Sequence, residues 1–362
     1  MRTVKMQDYI VKSKKIFVGL EDSKKTWKVA VRCEKMLIHQ TTMPVDYQNL
    51  RSYLRNKFPA CTIELIYEAG FHGFWLHDLL VSDGVTCVVV PPHTVTEEKT
   101  SRVKTDKRDA RRLAQNLENG DYKRCHVPDR ERREDRQISR TLEDVQHTIV
   151  ATRNRIWKML DFHGITVRFA GTVPTKKDIR DLRNLKIPEM VGNALTAYVD
   201  LLEFLWNQQE QLREQLRAMT EKEKYKKTFD IIHSAPGIGW FTAIRLVLEW
   251  GEDLTRFASK RHIASFVGLT GSEHSSGETV HRGHLSGLGH QRSRSWLTEC
   301  AWVSIRKDPV LLDKYKRVLR NTGSKKKAIV AAARKLVGRI LRCVVSGQPY
   351  TVGLVAVGCE PS

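Results

Sequence analysis

The feature that most constrains this chain is an alternation of strand and helix patterns that begins at Lys15. IFVGL is followed by a short polar turn and then by TWKVAVRC, whose apolar residues alternate as in a half-buried strand. Next come an amphipathic helix (DYQNLRSYLRNKF), an apolar strand (TIELIYEA), a helix (FWLHDLLVSDG) and another apolar strand (VTCVVVPP). Two hairpin strands followed by alternating helices and strands predict an α/β domain with a mixed sheet. That domain closes with the helix that carries Asp106 and Asp109 and spans residues 1–128.

From Arg130 to Lys227 the pattern is helical and heavily charged, which gives a second region at 129–228. Leu195, Tyr198, Leu202, Leu205, Gln209, Leu212, Leu216 and Met219 follow a 3,4 spacing, the seam of a coiled coil. Such a seam can pair two copies of the chain or pack inside one. The expectation adopted is an oligomer, a dimer or a tetramer built from dimers.

The third region, 229–362, opens with FDIIHSAPGIGWFTAIRLVLEWG, where Pro236, Gly237 and Gly239 interrupt two apolar helical runs. This is the form of a helix-hairpin-helix, in a mainly helical domain, whose hairpin amides can face a phosphate; a plain interhelical turn has the same form, and the phosphate contact is the expectation adopted.

With 62 Lys and Arg against 41 Asp and Glu, the chain of 362 residues carries a net charge of +21. Such a balance favours a polyanionic partner, DNA or RNA. The first fifteen residues lack an apolar signal core and no stretch reaches the length of a membrane span, so a cytoplasmic protein with no membrane partner is expected. Seven cysteines without a CxxC pair suggest neither a zinc ribbon nor a disulfide framework.

Against this basic background the acids stand out. Asp106 and Asp109 are three residues apart, on one face of a helix, among Lys104, Lys107, Arg108, Arg111 and Arg112. Glu21 and Asp22 end the first strand and Glu68 ends the strand in LIYEAG. Carboxylates on strand ends together with a pair on a helix suit an oxygen cage for Mg²⁺ or Mn²⁺, and the flanking bases suit a nucleic-acid backbone.

A second candidate lies in SEHSSGETVHRGHLSGLGHQRSRSWL, read as a Ser/Gly loop holding Ser272, Ser275 and Ser276 and followed by Arg282, His284, His290, Arg292 and Arg294. A serine attacks phosphate only if oriented and if cations meet the developing charge, which the Arg and His residues could do. A flexible loop flanked by phosphate-contacting arginines has the same composition. Lys325 to Arg342 reads as a basic amphipathic helix packed on this region, and Arg130 to Arg155 adds a third basic stretch.

The motifs VGLEDSKKTWKVAV, YEAGFHGFWLHDLL, VVVPPHTV, KTDKRDARRLA, APGIGWFTA and GLTGSEHSSGETVHRGHLSGLGH occur in an order that resembles the DEDD-type insertion-sequence transposases. The resemblance runs from about Lys15 to Tyr350. It implies a RuvC-like, RNase H-like N-terminal domain, a coiled coil and a C-terminal serine-bearing domain. It further implies a recombinase that excises and inserts its own element, guided by a structured non-coding RNA that pairs with donor and target DNA.

By this resemblance the metal-binding acids fall on Glu68, Asp106 and Asp109, and the nucleophile on Ser276, directly before Gly277. The family has Asp after the first strand, whereas this chain reads GLED, which puts Glu21 at the matching position and Asp22 one step later. Successive strand residues face opposite ways, so both remain candidates, with Glu21 favoured. Two other readings of the same residues are a RuvC-like nuclease of the junction-resolvase type and an inactive nucleic-acid-binding relic.

Overall fold

The computed structural model describes residues 14–92, 105–167, 175–276 and 279–353, with the side chains of residues 176 and 273–282 left aside. The chain separates into two compact units, Met1–Val127 and Pro128–Ser362.

In the first unit the strands are β1 (Lys15–Asp22), β2 (Thr26–Cys33), β3 (Met36–Pro44), β4 (Thr62–Glu68) and β5 (Thr86–Val90). They form one sheet in the order β3-β2-β1-β4-β5. β1 runs antiparallel to β2 and parallel to β4, and β4 runs parallel to β5, so the sheet is mixed, as expected. β3 was not anticipated. Its hairpin turns on Glu34 and Lys35, both at positive φ, without the Gly or Asn that normally announces such a turn.

Helices cover both faces. α1 (Tyr47–Lys57) and α2 (Trp75–Ser82) bury Leu50, Leu54, Leu76 and Leu80 against Ile16, Val18, Leu20, Leu65 and Tyr67. On the opposite face α3 (Asp106–Asn119) packs Leu113 and Leu117 against Ile66, Val88 and Val90. Gly19 lets α3 come unusually near, because a Cβ there would lie 2.1 Å from the Ala110 carbonyl oxygen and 2.4 Å from the Ala114 nitrogen. Only a residue with no side chain fits.

The second unit is mainly helical, as expected. α4 (Arg130–Phe162) and α6 (Glu189–Met219) pair antiparallel: Ile156 and Leu160 meet Leu195, Val199 and Leu202, while Leu142 lies with Leu216 and Met219. α5 (Lys176–Arg183) adds Ile179 and Leu182 to the first of these clusters. Of the predicted seam, Leu195, Leu202, Leu205, Leu216 and Met219 are buried within the chain. Seam positions that could meet a second copy thus meet α4 and the core.

That core is built from α7 (Glu223–His233), α8 (Trp240–Trp250), α9 (Lys260–Phe266), α10 (Gln291–Lys307), α11 (Pro309–Thr322) and α12 (Lys325–Ser346). α12 contributes Ile329, Ala332, Ala333, Leu336, Val337 and Ile340, the apolar face read from its sequence. Between α9 and α10 stands a hairpin of β6 (Gly271–Ser276) and β7 (Thr279–Leu285). The sequence reading has a loop here, since small polar residues disguise the strand alternation.

Candidate functional site

The strand pleat sorts the acids of the first unit. Along β1, Ile16, Val18 and Leu20 enter the core under α1 and α2, whereas Phe17 and Gly19 face α3. By the same alternation Glu21 faces α3 and Asp22 faces the other way. β4 repeats the pattern: Leu65 and Tyr67 point to α1 and α2, Ile66 to α3, and Glu68 follows Ile66. Leu20 pairs with Tyr67 across the parallel ladder, so Glu21 and Glu68 are the next step along neighbouring strands.

α3 delivers the remaining two. Its first turn contains Asp106 and Asp109, where the helix dipole favours negative charge. Asp106 is exposed, while Asp109 is only 8% exposed and accepts an ion pair from Arg112 at 3.0 Å. Because Gly19 sets α3 directly on β1, the first turn lies over the strand ends.

The electrostatics register the gathering. Burial raises the Glu21 carboxyl to about 7, with Glu68, Asp109, Asp106 and Asp22 adding repulsion in that order. Among the described residues no three acids are closed around a common point at ligand distance. The donor chemistry nonetheless fits a hard divalent cation: four carboxyl groups that raise the proton affinity of one member are an oxygen set that a cation of charge two would relieve.

Asp22 is engaged elsewhere. It accepts a hydrogen bond from Trp27 Nε1 at 2.9 Å, contacts His72 Nδ1, and its side chain is 4% exposed. Burial lifts its carboxyl above the ordinary range although His72 opposes the shift. It therefore stands with the aromatic residues under the sheet and apart from the face of Glu21, a placement that the pleat decides.

The bases read from the sequence divide in the same way. Lys107, Arg108 and Arg111 are exposed along α3, and Arg111 donates to Gln40 Oε1 at 2.6 Å. Lys104 lies outside the described residues. In the second unit Arg292 is paired with Glu143, and Arg294 donates to the Gly268 carbonyl at 3.4 Å. Both are tied into the fold.

Gly237, at φ +85°, turns toward α10: a Cβ there would come within 2.8 Å of the Cys300 carbonyl oxygen. Ser304 Oγ donates to the neighbouring Pro236 carbonyl at 2.6 Å, so this glycine serves packing of the hairpin on α10. Gly239 is exposed at the start of α8, with nothing within 4 Å of a Cβ position.

Ser276 is the last residue of β6 and pairs with Thr279 across the hairpin. Its side chain and that of Arg282 fall outside the description. The hairpin base is closely fastened, since a Cβ on Gly289 would lie 2.6 Å from the Gly268 α-carbon. The backbone N–H of His290 donates to the Phe266 carbonyl at 2.7 Å.

Sequence reasoning missed the anchor behind this hairpin. Glu249, 1% exposed, accepts from Arg140 Nε at 3.0 Å and lies 3.2 Å from His290 Nε2 and 3.4 Å from Arg136 Nη1. Burial would raise its carboxyl, but His290 and Arg140 hold it down at about 2. In sequence it is one acid in LVLEWG, with no signal of its partners more than a hundred residues away in α4.

Comparison with known proteins places the chain. A transposase profile of the DEDD type matches residues 18–165, and the profile of the transposase IS116/IS110/IS902 family matches residues 229–316. The chain is similar to y4rJ, a candidate transposase of Sinorhizobium fredii, at 28% identity over 92% of each chain. It is similar to the transposase for insertion sequence element IS1533 of Leptospira borgpetersenii at 23% identity, over 65% of this chain and 70% of the other. A pilin gene-inverting protein of Moraxella bovis is 30% identical over 33% of this chain and 38% of its own. With Glu21 and Glu68 facing the helix that carries Asp106 and Asp109, and with both halves matched in order, the chain belongs to the IS116/IS110/IS902 family of transposases.

Proposed function

We propose that this transposase is a recombinase that excises and inserts its own element under the guidance of a structured non-coding RNA, with Ser276 as nucleophile. The reading is carried by one observation: Glu21 and Glu68, at adjacent strand ends, share the α3 side of the sheet with Asp109 and Asp106, where burial first and then the repulsion of these neighbours raise the Glu21 carboxyl to about 7. Arg112 pairs with Asp109 at 3.0 Å, but the charged neighbours that act on Glu21 are acids, on the side of the sheet that α3 covers.

In this reading Glu21, Glu68, Asp106 and Asp109 hold Mg²⁺ or Mn²⁺. When bound, the cation supplies positive charge to a phosphate oxygen and to the departing one. Ser276 Oγ attacks phosphorus; its bond to phosphorus forms as the bond from phosphorus to one sugar oxygen breaks. The serine proton leaves with solvent or a neighbouring base, and the freed sugar oxygen ends protonated. The phosphoserine ester conserves the bond for rejoining to a second strand. Lys107, Arg108, Arg111 and Arg112 hold the DNA backbone.

Guidance by RNA is supported by the ordered motifs shared with RNA-guided relatives and by the charge of +21. Base pairing would then carry target choice, and the protein would read shape and backbone. Self-association as a dimer or tetramer completes the proposal. With much of the seam packed inside, Met190, Leu201 and Phe204 are exposed apolar residues of α6 that a second copy could cover.

The test is to incubate the chain with its element's end DNA and Mg²⁺ and to look for a covalent protein–DNA adduct. Adduct formation that is lost in both Ser276→Ala and Asp106→Ala is expected. Hydrolysis without an adduct that survives Ser276→Ala would assign a plain nuclease of the junction-resolvase type, and no reaction by the intact chain would point to a relic.

A further inference from the structure

On the face of the sheet opposite Glu21, the same strand ends carry an aromatic assembly that the proposed chemistry does not use. Asp22 Oδ1 receives the Trp27 Nε1 hydrogen and also meets His72 Nδ1, so one buried carboxylate fixes two rings. Trp75 stacks on Trp27, with centroids 6.1 Å apart and planes at 28°. His72 stands edge-on to both tryptophans, at 6.3 Å from Trp27 and 6.1 Å from Trp75. Phe71 lies against His72 at 3.9 Å.

Trp27 is fully buried and His72 half-buried, yet the outer rings are open: Phe71 is 58% exposed and Trp75 is 39% exposed. Lys24 Nζ lies 5.5 Å from the Phe71 ring, and Lys25 is exposed beside it. Two wet ring faces, held rigid from behind and edged by positive charge, match an unpaired nucleobase with its phosphate. A protein partner would more naturally meet a flat apolar patch without the lysines. The position argues for DNA engaged at the reacting site, because Asp22 follows Glu21 and Phe71 lies three residues after Glu68.

We propose that Phe71 and Trp75, backed by Trp27, Asp22 and His72, form a stacking platform for an unpaired base of the DNA strand whose phosphate lies at the carboxylate cluster. The proposal rests on reading that cluster as the phosphate-handling site. The platform would hold one nucleotide out of the duplex and thereby set the register of the strand at the acids.

The full chain, in chelator-containing buffer, is titrated against a labelled single-stranded DNA, its duplex and the same sequence as single-stranded RNA, at several salt concentrations. Phe71→Ala and Trp75→Ala are each expected to weaken single-stranded DNA binding by about 5- to 100-fold. Duplex affinity and the slope of affinity against salt should not change, since no phosphate contact is removed. Trp75→Phe should restore most of the loss, and Phe71→Ala, at an exposed ring, should leave the unfolding temperature unaltered.

Unchanged single-strand affinity in both alanine variants overturns the platform, as does an equal loss on the duplex. A larger loss on RNA than on DNA overturns the assignment to the DNA strand. The measurement needs no metal and no strand transfer, so it stands or falls separately: if Asp106→Ala retained adduct formation, the reading of the acids would fail while the binding result stood.

Discussion

A buried carboxylate and a half-buried one show how differently this chain handles charge. Glu249 in the second unit lies deeper than Glu21 in the first, yet its carboxyl is pulled down to about 2 while that of Glu21 is pushed up to about 7. Desolvation raises both. The neighbours decide the outcome: Arg140 and His290 around Glu249, and Glu68, Asp109 and Asp106 around Glu21. A carboxylate enclosed by cations holds a fold together; one enclosed by acids is disfavoured in its ionised form, a conflict that the proposed divalent cation would relieve.

The contrast is broken most severely at Glu249. Glu249→Ala leaves Arg136, Arg140 and His290 facing a void and should cost about 3–5 kcal/mol, seen as a large fall in the unfolding temperature of the second unit. The pH dependence has a definite sign. Because its folded pKa lies below the ordinary value of 4.5, Glu249 stabilises fully above pH 4.5, and that contribution is lost as the pH falls toward 2. An acid transition in the alanine variant as steep as in the parent would show that the network contributes little.

Gly19→Ala comes next. Its methyl group would meet the Ala110 backbone oxygen at 2.1 Å, so α3 must move or tilt, at a cost of about 1–3 kcal/mol. As the moving helix carries Asp106 and Asp109, Mn²⁺ affinity should fall together with stability. Retained affinity would mean that the acids do not depend on the close approach of α3.

The smallest effect should be a gain. Below pH 4.5 Glu21 is protonated in folded and unfolded chains alike; between 4.5 and 7 only the unfolded chain ionises, and the folded state loses ground until about pH 7. Glu21→Gln should therefore match the parent at pH 4 and exceed it at pH 8 by about 1 kcal/mol in metal-free buffer, after discounting for solvent screening. Added Mg²⁺ should close the gap by stabilising the parent more than the variant. A variant less stable than the parent at pH 8 would show that Glu21 is not in conflict with its neighbours.

Parts of this were legible early. Strand ends and helix spacing single out five acids, Glu21, Asp22, Glu68, Asp106 and Asp109, and the α/β order of the first unit and the helical character of the second follow from periodicity. β3 was not legible, because Glu34 and Lys35 adopt a turn that their residue types do not advertise. The hairpin of β6 and β7 was hidden by its run of small polar residues. Gly237 shows a subtler gap: a glycine in a hairpin reads equally as a phosphate contact or as room for a neighbour, and here Cys300 and Ser304 of α10 fill the space.

Local pattern alone determined most of the elements, though not β3 or the β6–β7 hairpin, together with the basic balance and the acids themselves, since periodicity and charge are properties of short stretches. Which acids share a face was left to the sheet, where the pleat of β1 turns Glu21 toward α3 and Asp22 toward His72 and Trp27. Whether the α6 seam would meet a second chain or its own was likewise decided by packing against α4 and the core. Partnership between segments a hundred residues apart depends on how whole layers stack, and no window of sequence contains that information.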